Sequence, residues 1–253
     1  AQGLPNPKDL LRTMVAREKE GEAEKTLCEY RCVERSERTG GALWVENVVE
    51  TPKGRVRFLL AIDGKPLSAE RTAQERGRLA DILADPKEFE ASEKAQKDDE
   101  NHARQMMDLL PKAFLLENMR PQGEDWRIEF RPDPAYSPSG IQEKVLHGMS
   151  GFLLVNQKQI RLHHVEGRLE HEVSIGFGLL ATVKAGSHFS STRGDVGGEW
   201  RTLRVISEVQ GRVVFFKTIA KNQDVTRSMF ERLPRPQSLP EAVAKAELPE
   251  VKA

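Results

Sequence analysis

Residues 151–169 read GFLLVNQKQIRLHHVEGRL, residues 179–193 read LLATVKAGSHFSSTR, and residues 194–227 read GDVGGEWRTLRVISEVQGRVVFFKTIAKNQDVTR. Apolar side chains alternate with polar ones along these stretches, as at Leu203 and Val205 and again at Val213 and Phe215. Glycine or Asn-Gln breaks interrupt them every eight to twelve residues, from Gly151 to Met229. Period-2 alternation cut by tight turns is the pattern of antiparallel strands with one covered face and one wet face. The expected class is therefore α+β, mainly β: consecutive antiparallel strands of one sheet, with helices over one side.

Upstream, the pattern extends to three more strands. Leu27 to Arg38 places Cys28, Tyr30 and Cys32 on one face, and Thr39-Gly40-Gly41 marks a turn. ALWVENVVET leads into Pro52-Lys53-Gly54, and RVRFLLAI puts Val56, Phe58, Leu60 and Ile62 on one side. A further pair, Phe114 to Arg120 and Trp126 to Arg131, flanks Pro121-Gln122-Gly123.

Helices are expected in two places. Asn6 suits an N-cap and Pro7 a first helical position, and Leu10, Leu11, Met14 and Val15 form an apolar stripe ending near Gly21. From Ser68 to Leu110 the composition turns to Glu, Lys, Arg, Ala and Gln, with a break at Asp85-Pro86. That segment reads as a solvated helical excursion or as a movable lid. After Leu233 apolar periodicity stops, so residues 234–253 are expected to be a disordered or loosely attached tail. The remainder, 1–233, is expected to be a single domain carrying the helical insertion at about 68–110.

Charge and cysteine content exclude several classes of partner. The chain has 253 residues, and Lys plus Arg equals Asp plus Glu at 39 each, which gives no electrostatic reason for nucleic acid or an anionic membrane. No apolar run approaches the roughly 20 residues of a membrane span. The first residues, Ala-Gln-Gly, suit a processed mature product or a trimmed one. Cys28 and Cys32 sit about 13 Å apart if both lie on a strand rising ~3.3 Å per residue. A disulfide needs Cα atoms within about 7 Å, so two free thiols are expected.

Motifs that resemble chemistry fail on context. Gly176-Phe177-Gly178-Leu179-Leu180-Ala181 fits G-x-G-x-x-A, but a dinucleotide site needs a helix to begin there, and strand follows. Gly148-Met149-Ser150-Gly151-Phe152 lacks the last glycine of a nucleophile elbow. His163, His164 and His171 have no metal-ligand spacing, and the first two face opposite sides of a strand. No cofactor, metal or catalytic residue is assigned, and an enzyme is not expected.

The order of elements carries a resemblance. YRCVERSER (30–38), RFLLAIDGKPLSAERTAQERGRL (57–79), VLHGMSGFLLVNQ (145–157), LLATVKAGSHF (179–189) and EWRTLRVISEVQGRVVFFK (199–217) resemble exported bacterial proteins of the LolA-like lipoprotein-carrier superfamily. Its most specific pieces are Asp63 to Ser68 and Gly151 to Asn156, and it extends to about Leu233. The resemblance implies a strongly curved antiparallel sheet, an incomplete β-barrel, with helices over the concave face. In the carriers that concavity receives acyl chains. This chain departs in its charged segment 68–110 and in Asn156, where related proteins often have Asp. No residue matches the carriers' functional positions, so none is carried over.

The resulting expectation is a non-enzymatic periplasmic or otherwise exported protein that binds a lipid or an acylated protein. Its cavity candidates are Trp44, Phe58, Leu60, Phe152, Leu154, Phe189 and Phe215. The alternative is a cell-envelope interaction or sensor module in which those side chains simply fill a core. Ligand identity, partner and oligomeric state are not readable from these residues.

Overall fold

The computed structural model of the chain describes residues 4–175, 181–213 and 222–248. In chain order, helix α1 (Pro7–Ala23) precedes strands β1 (Cys28–Ser36), β2 (Trp44–Thr51), β3 (Gly54–Ile62) and β4 (Lys65–Pro66). Helices α2 (Ala69–Ala84), α3 (Lys87–Met106) and, after a 3-10 turn, α4 (Leu110–Ala113) lead to β5 (Phe114–Gln122) and β6 (Asp125–Pro132). Helix α5 (Ile141–His147) is followed by β7 (Met149–Asn156), β8 (Leu162–Leu169), β9 (Val173–Ile175), β10 (Ala181–Val183), β11 (His188–Val196) and β12 (Glu199–Glu208). The last elements are β13 (Gly211–Val213), β14 (Gln223–Arg232) and α6 (Leu239–Glu247). The fold is α+β and mainly antiparallel. Edge strands β4 and β5 pair on one side only, so the sheets are open.

Contacts divide the chain into two compact units. One comprises Ala1–Glu24 and His102–Gln223, the other Lys25–Asn101 and Asp224–Ala253.

The first unit orders its main strands β12-β11-β8-β7-β6-β5. Asn6 caps α1 by accepting from the Lys8 and Asp9 backbone N–H groups, with Pro7 in the first turn. The stripe Leu10, Leu11, Met14 and Val15 is buried. It packs with Phe114, Ile128, Leu153, Val155, Leu162 and Leu169 into one core. Registers Ile128↔Leu153 and Leu153↔Val165 align these residues on one face. Alternation then puts Phe152 and Leu154 on the other face.

A buried ion cluster ties α1 to this sheet. Glu18, 3% exposed, accepts from Arg161 Nε at 2.9 Å and from the Leu162 N–H at 3.0 Å, and pairs with Arg193 Nη2 at 2.9 Å. Gly21 is what lets the Arg161 guanidinium reach: a Cβ there would lie 2.5 Å from both terminal nitrogens. The helix runs two residues beyond Gly21, to Ala23, and the N–H of its C-cap Glu24 donates to Glu20 O at 3.2 Å.

The second unit orders its strands β4-β3-β2-β1-β14. Helices α2 and α6 cover the face bearing Val49, Val56 and Phe58, with Leu79, Ala242, Val243 and Ala246 buried there. Ser68 caps α2 by accepting from the Arg71 N–H, and the helix stops at Asp85 ahead of Pro86. The charged α3 is not solvated all round: Glu93, 8% exposed, accepts from the Arg55 N–H and guanidinium.

Two expectations differ from the structure. Residues 234–248 are not a loose tail, because Ser238 and Glu241 form a capping box for α6. Its apolar residues Leu239, Ala242, Val243 and Ala246 recur at helical spacing and pack into the core. The strands from Gly151 onward do not all join one sheet. β9, β10 and β13, three residues each, form a separate three-stranded sheet in the order β13-β10-β9. The break comes after Leu169, whose N–H donates to Ser187 O and whose carbonyl accepts from the Gly186 N–H.

Candidate functional site

Three hairpin ends of the first unit converge on a polar cleft of about 560 Å³. The β5–β6 turn supplies Gln122, Glu124 and Asp125, the β7–β8 connection supplies Asn156, Lys158 and Gln159, and the β11–β12 turn supplies Asp195, with His163 and Trp200 beside them. Local chemistry fixes each turn. Gly197 and Gly198 take φ of 62° and 91°, as a two-residue hairpin loop with both centres left-handed requires. Asp195 Oδ1 closes that loop by accepting from the Gly198 N–H at 2.7 Å. Asn156 Oδ1 accepts from the Lys158 and Gln159 N–H groups at 3.1 and 2.9 Å. Ile160 is then held at φ 51°, an uncommon conformation for a β-branched residue.

At the centre, Asp125 Oδ2 meets His163 Nδ1 at 2.7 Å. A carboxylate only accepts, so His163 Nδ1 is the donor of this bond. Asp125 is 6% exposed, and its Oδ1 is buried with no hydrogen-bond partner. The His163 and Trp200 rings meet edge to face, with centroids 6.0 Å apart. Trp200 Nε1 donates to Gln159 Oε1, and Gln159 Nε2 donates to Asp195 Oδ2 at 3.2 Å. No serine, threonine or cysteine is among the described residues lining the cleft. The arrangement suits holding a polar ligand.

His164, on the opposite side of β8 from His163 as its neighbour position requires, meets Thr192 Oγ1 at 2.9 Å. Burial holds its pKa below the ordinary histidine value.

The residues expected to line an apolar cavity are divided between the units, Trp44, Phe58 and Leu60 in the second and Phe152, Leu154 and Phe189 in the first. Phe58 is buried in the core of the second unit with Leu60 packed against it, and half-buried Trp44 lies 5.2 Å beneath the Arg38 guanidinium. Phe152 and Leu154 lie on the face away from α1. The Arg127 guanidinium sits 3.6 Å over the Phe152 ring, and His164 stacks at 5.5 Å. Leu154 pairs in register with Arg127 and His164. The residues that face the helices are their neighbours Leu153 and Val155, both fully buried. The run Phe152-Leu153-Leu154-Val155 is apolar at both parities, so the sequence leaves its phase open. Phe189 is half-buried on β11, opposite Gly167 and Ser207. Phe215 and residues 176–180 of the G-x-G-x-x-A segment lie outside the described residues.

Cys28 and Cys32 are buried on β1 and form no disulfide. The fold brings Glu34 and Glu46 to Cys32, with their potential ligand atoms all within 4.8 Å. Arginines already hold both carboxylates: Arg38 Nη2 lies 2.6 Å from each, and Arg57 Nη1 lies 3.4 Å from Glu46. Burial pushes the Cys32 thiol up, away from the thiolate a metal would need. The set is an ionic cluster whose acids are neutralised.

No protein-family model matches the chain, and no curated protein does. Among solved structures the chain is similar to a domain described as an outer membrane lipoprotein-sorting protein, from Vibrio parahaemolyticus. The two share 9% identity with a TM-score of 0.34, over 94% of this chain and 100% of the other. A likeness of that size does not place the chain in a family. No helix among the described residues is long and apolar enough to cross a membrane.

Proposed function

We propose that this chain is a non-enzymatic interaction module of the cell envelope that works through its surface, its apolar interior being occupied by its own side chains. One observation supports the reading. On the helix-covered face of the first unit Leu11, Met14, Phe114, Ile128, Leu153, Val155 and Leu169 are each at 0% exposure. The corresponding face of the second unit is filled likewise by Val49, Val56, Leu79, Ala242 and Ala246. A chain of roughly ten methylenes gains about 8 kcal/mol on burial, but only where there is volume to receive it. The envelope location is part of the proposal and rests on the sequence resemblance, and fractionation of native cells tests it.

Titration of delipidated protein with a fluorescent fatty acid tests the functional reading. No saturable uptake is expected. Saturable uptake at one site per chain, lost on Leu153→Gln, overturns it. A carrier of lipid or of an acylated protein would then take first place.

A further inference from the structure

We propose that helices α2 and α3 form a side-chain strap over the edge of β3. Glu75, Arg78 and Glu93 take the hydrogen-bonding places of a neighbouring strand there and keep β3 from pairing with β3 of a second copy. The inference does not rest on the interaction reading above, since a lipid carrier needs the same protection.

The backbone bonds are the starting point. In an antiparallel pair, every second residue turns its N–H and C=O away from the partner strand. β3 has β2 on one side, and on the other side β4 reaches only Ala61 and Ile62 among the described residues. Side chains from the helices meet the backbone at the three alternate positions before these. The Arg55 N–H donates to Glu93 Oε2 at 2.9 Å, the Leu59 N–H donates to Glu75 Oε1 at 3.2 Å, and the Arg57 carbonyl accepts from Arg78 Nη2 at 2.6 Å. The Leu60 carbonyl accepts from the Leu67 N–H at 3.2 Å, so the edge is covered from Arg55 to Ile62.

Glu75 and Arg78 act as one unit. They lie three apart on α2, and Arg78 Nε also donates to Glu75 Oε2 at 3.1 Å. Together they offer a donor to Arg57 and an acceptor to Leu59, the pattern that one residue of a parallel strand presents. Both acids are buried, Glu75 at 6% exposure and Glu93 at 8%. Gly54 makes room for the second, because a Cβ there would collide with Glu93 Cβ and Cγ. Fully buried Leu79 already anchors α2 in the apolar core of the second unit. The charged helical segment thus has a role that neither a solvated excursion nor a lid would give it.

The strand itself shows why the edge is covered. Phe58-Leu59-Leu60-Ala61-Ile62 is five apolar residues with no charge and no proline. An exposed edge of that composition is a template for another chain, and identical segments of this kind pair with one another.

The test is sedimentation of the full chain across a dilution series, with hydrogen exchange of the Arg55 and Leu59 amides read at each concentration. Glu75→Ala combined with Glu93→Ala removes both acceptors, and is expected to self-associate at least about tenfold more tightly than the parent. Its two amides should exchange at least about tenfold faster than the parent's when dilute and regain protection when concentrated. Glu75→Gln with Glu93→Gln keeps an acceptor oxygen at each place and should follow the parent. Should the alanine pair fail to fold, Glu93→Ala alone decides, read at the Arg55 amide. The proposal is overturned if the alanine variant sediments as the parent does, if the glutamine pair associates as strongly, or if association leaves those amides unprotected. Fatty-acid uptake is read separately, so either proposal can fail alone.

Discussion

The two units bury charge by different arithmetic. In the first, one carboxylate, Glu18, serves two guanidiniums, Arg161 and Arg193. In the second, Glu34 and Glu46 face Arg38 and Arg57, two against two. The consequences are visible in the groups themselves. Burial pushes the Arg193 pKa down, only partly opposed by Glu18, and its Nε is left without a hydrogen-bond partner. Burial also acts against Arg38, yet its bonds to Glu34 and Glu46 win and raise its pKa. Arg38 stays 37% exposed, whereas Arg193 is only 12% exposed and must place its charge with little help from water.

The largest expected effect comes from removing the buried counter-charge. Glu18→Gln leaves Arg161 and Arg193 without their directly paired carboxylate, Glu22 acting on Arg193 only through its charge, and should cost about 3–5 kcal/mol in urea unfolding. A loss below about 1 kcal/mol would mean that water already screens the pair. Glu34→Gln should cost less, about 1–3 kcal/mol, because Glu46 still faces both arginines and glutamine keeps one acceptor. Equal losses from the two variants would erase the contrast.

Acid should find the balanced cluster next. Burial works to raise the Glu34 pKa, but hydrogen bonds from Arg38 and Ser36 and the charges of Arg38 and Arg57 outweigh it, so its folded value lies below the ordinary one. The unfolded chain then binds the proton first. Glu34 stabilises the fold above the unfolded value of about 4.3, and that contribution is lost as pH falls through the lower folded value. Thermal melts from pH 6 to 3 should therefore drop more steeply for the parent than for Glu34→Gln. The smallest effect is expected from Arg193→Met. It removes the surplus charge and its unpartnered nitrogen, so stability should change by no more than about 1 kcal/mol in either direction. A loss above 3 kcal/mol would show that Glu18 needs both arginines.

Local signals in the chain were good guides to local structure. Asn6-Pro7, Ser68 and Asp85-Pro86 mark helix ends, and Thr39-Gly40-Gly41 and Pro52-Lys53-Gly54 mark turns, because capping and left-handed backbone depend on few residues. The phase of Phe152 to Val155 was not readable, since it is set by register with Ile128 and Val165 rather than by composition. The tail after Leu233 hid α6 because alanines supply much of its apolar face. The cleft was least legible. Asp125 and His163 are 38 residues apart and share no motif, and Trp200 comes later still. Their common mark is position: each sits at or next to a hairpin turn at the same end of its strand. That mark becomes usable only once the strands are laid in order.

The passage of the chain through the two units has a consequence for synthesis. Helix α1 is made before the strands that bury its apolar stripe, which supply Phe114, Ile128, Leu153, Val155, Leu162 and Leu169. At ordinary translation rates the stretch from α1 to Leu169 takes roughly 7–30 s. An isolated helix of this length is marginal in water. The nascent helix thus emerges as a sticky segment that must be sheltered or stay unfolded while the segment from Lys25 to Asn101 is made, and that segment in turn awaits β14 and α6. Neither unit can be expressed as one uninterrupted fragment. A stop codon placed anywhere before α6 strands the second unit without the helix that lies on β2 and β3.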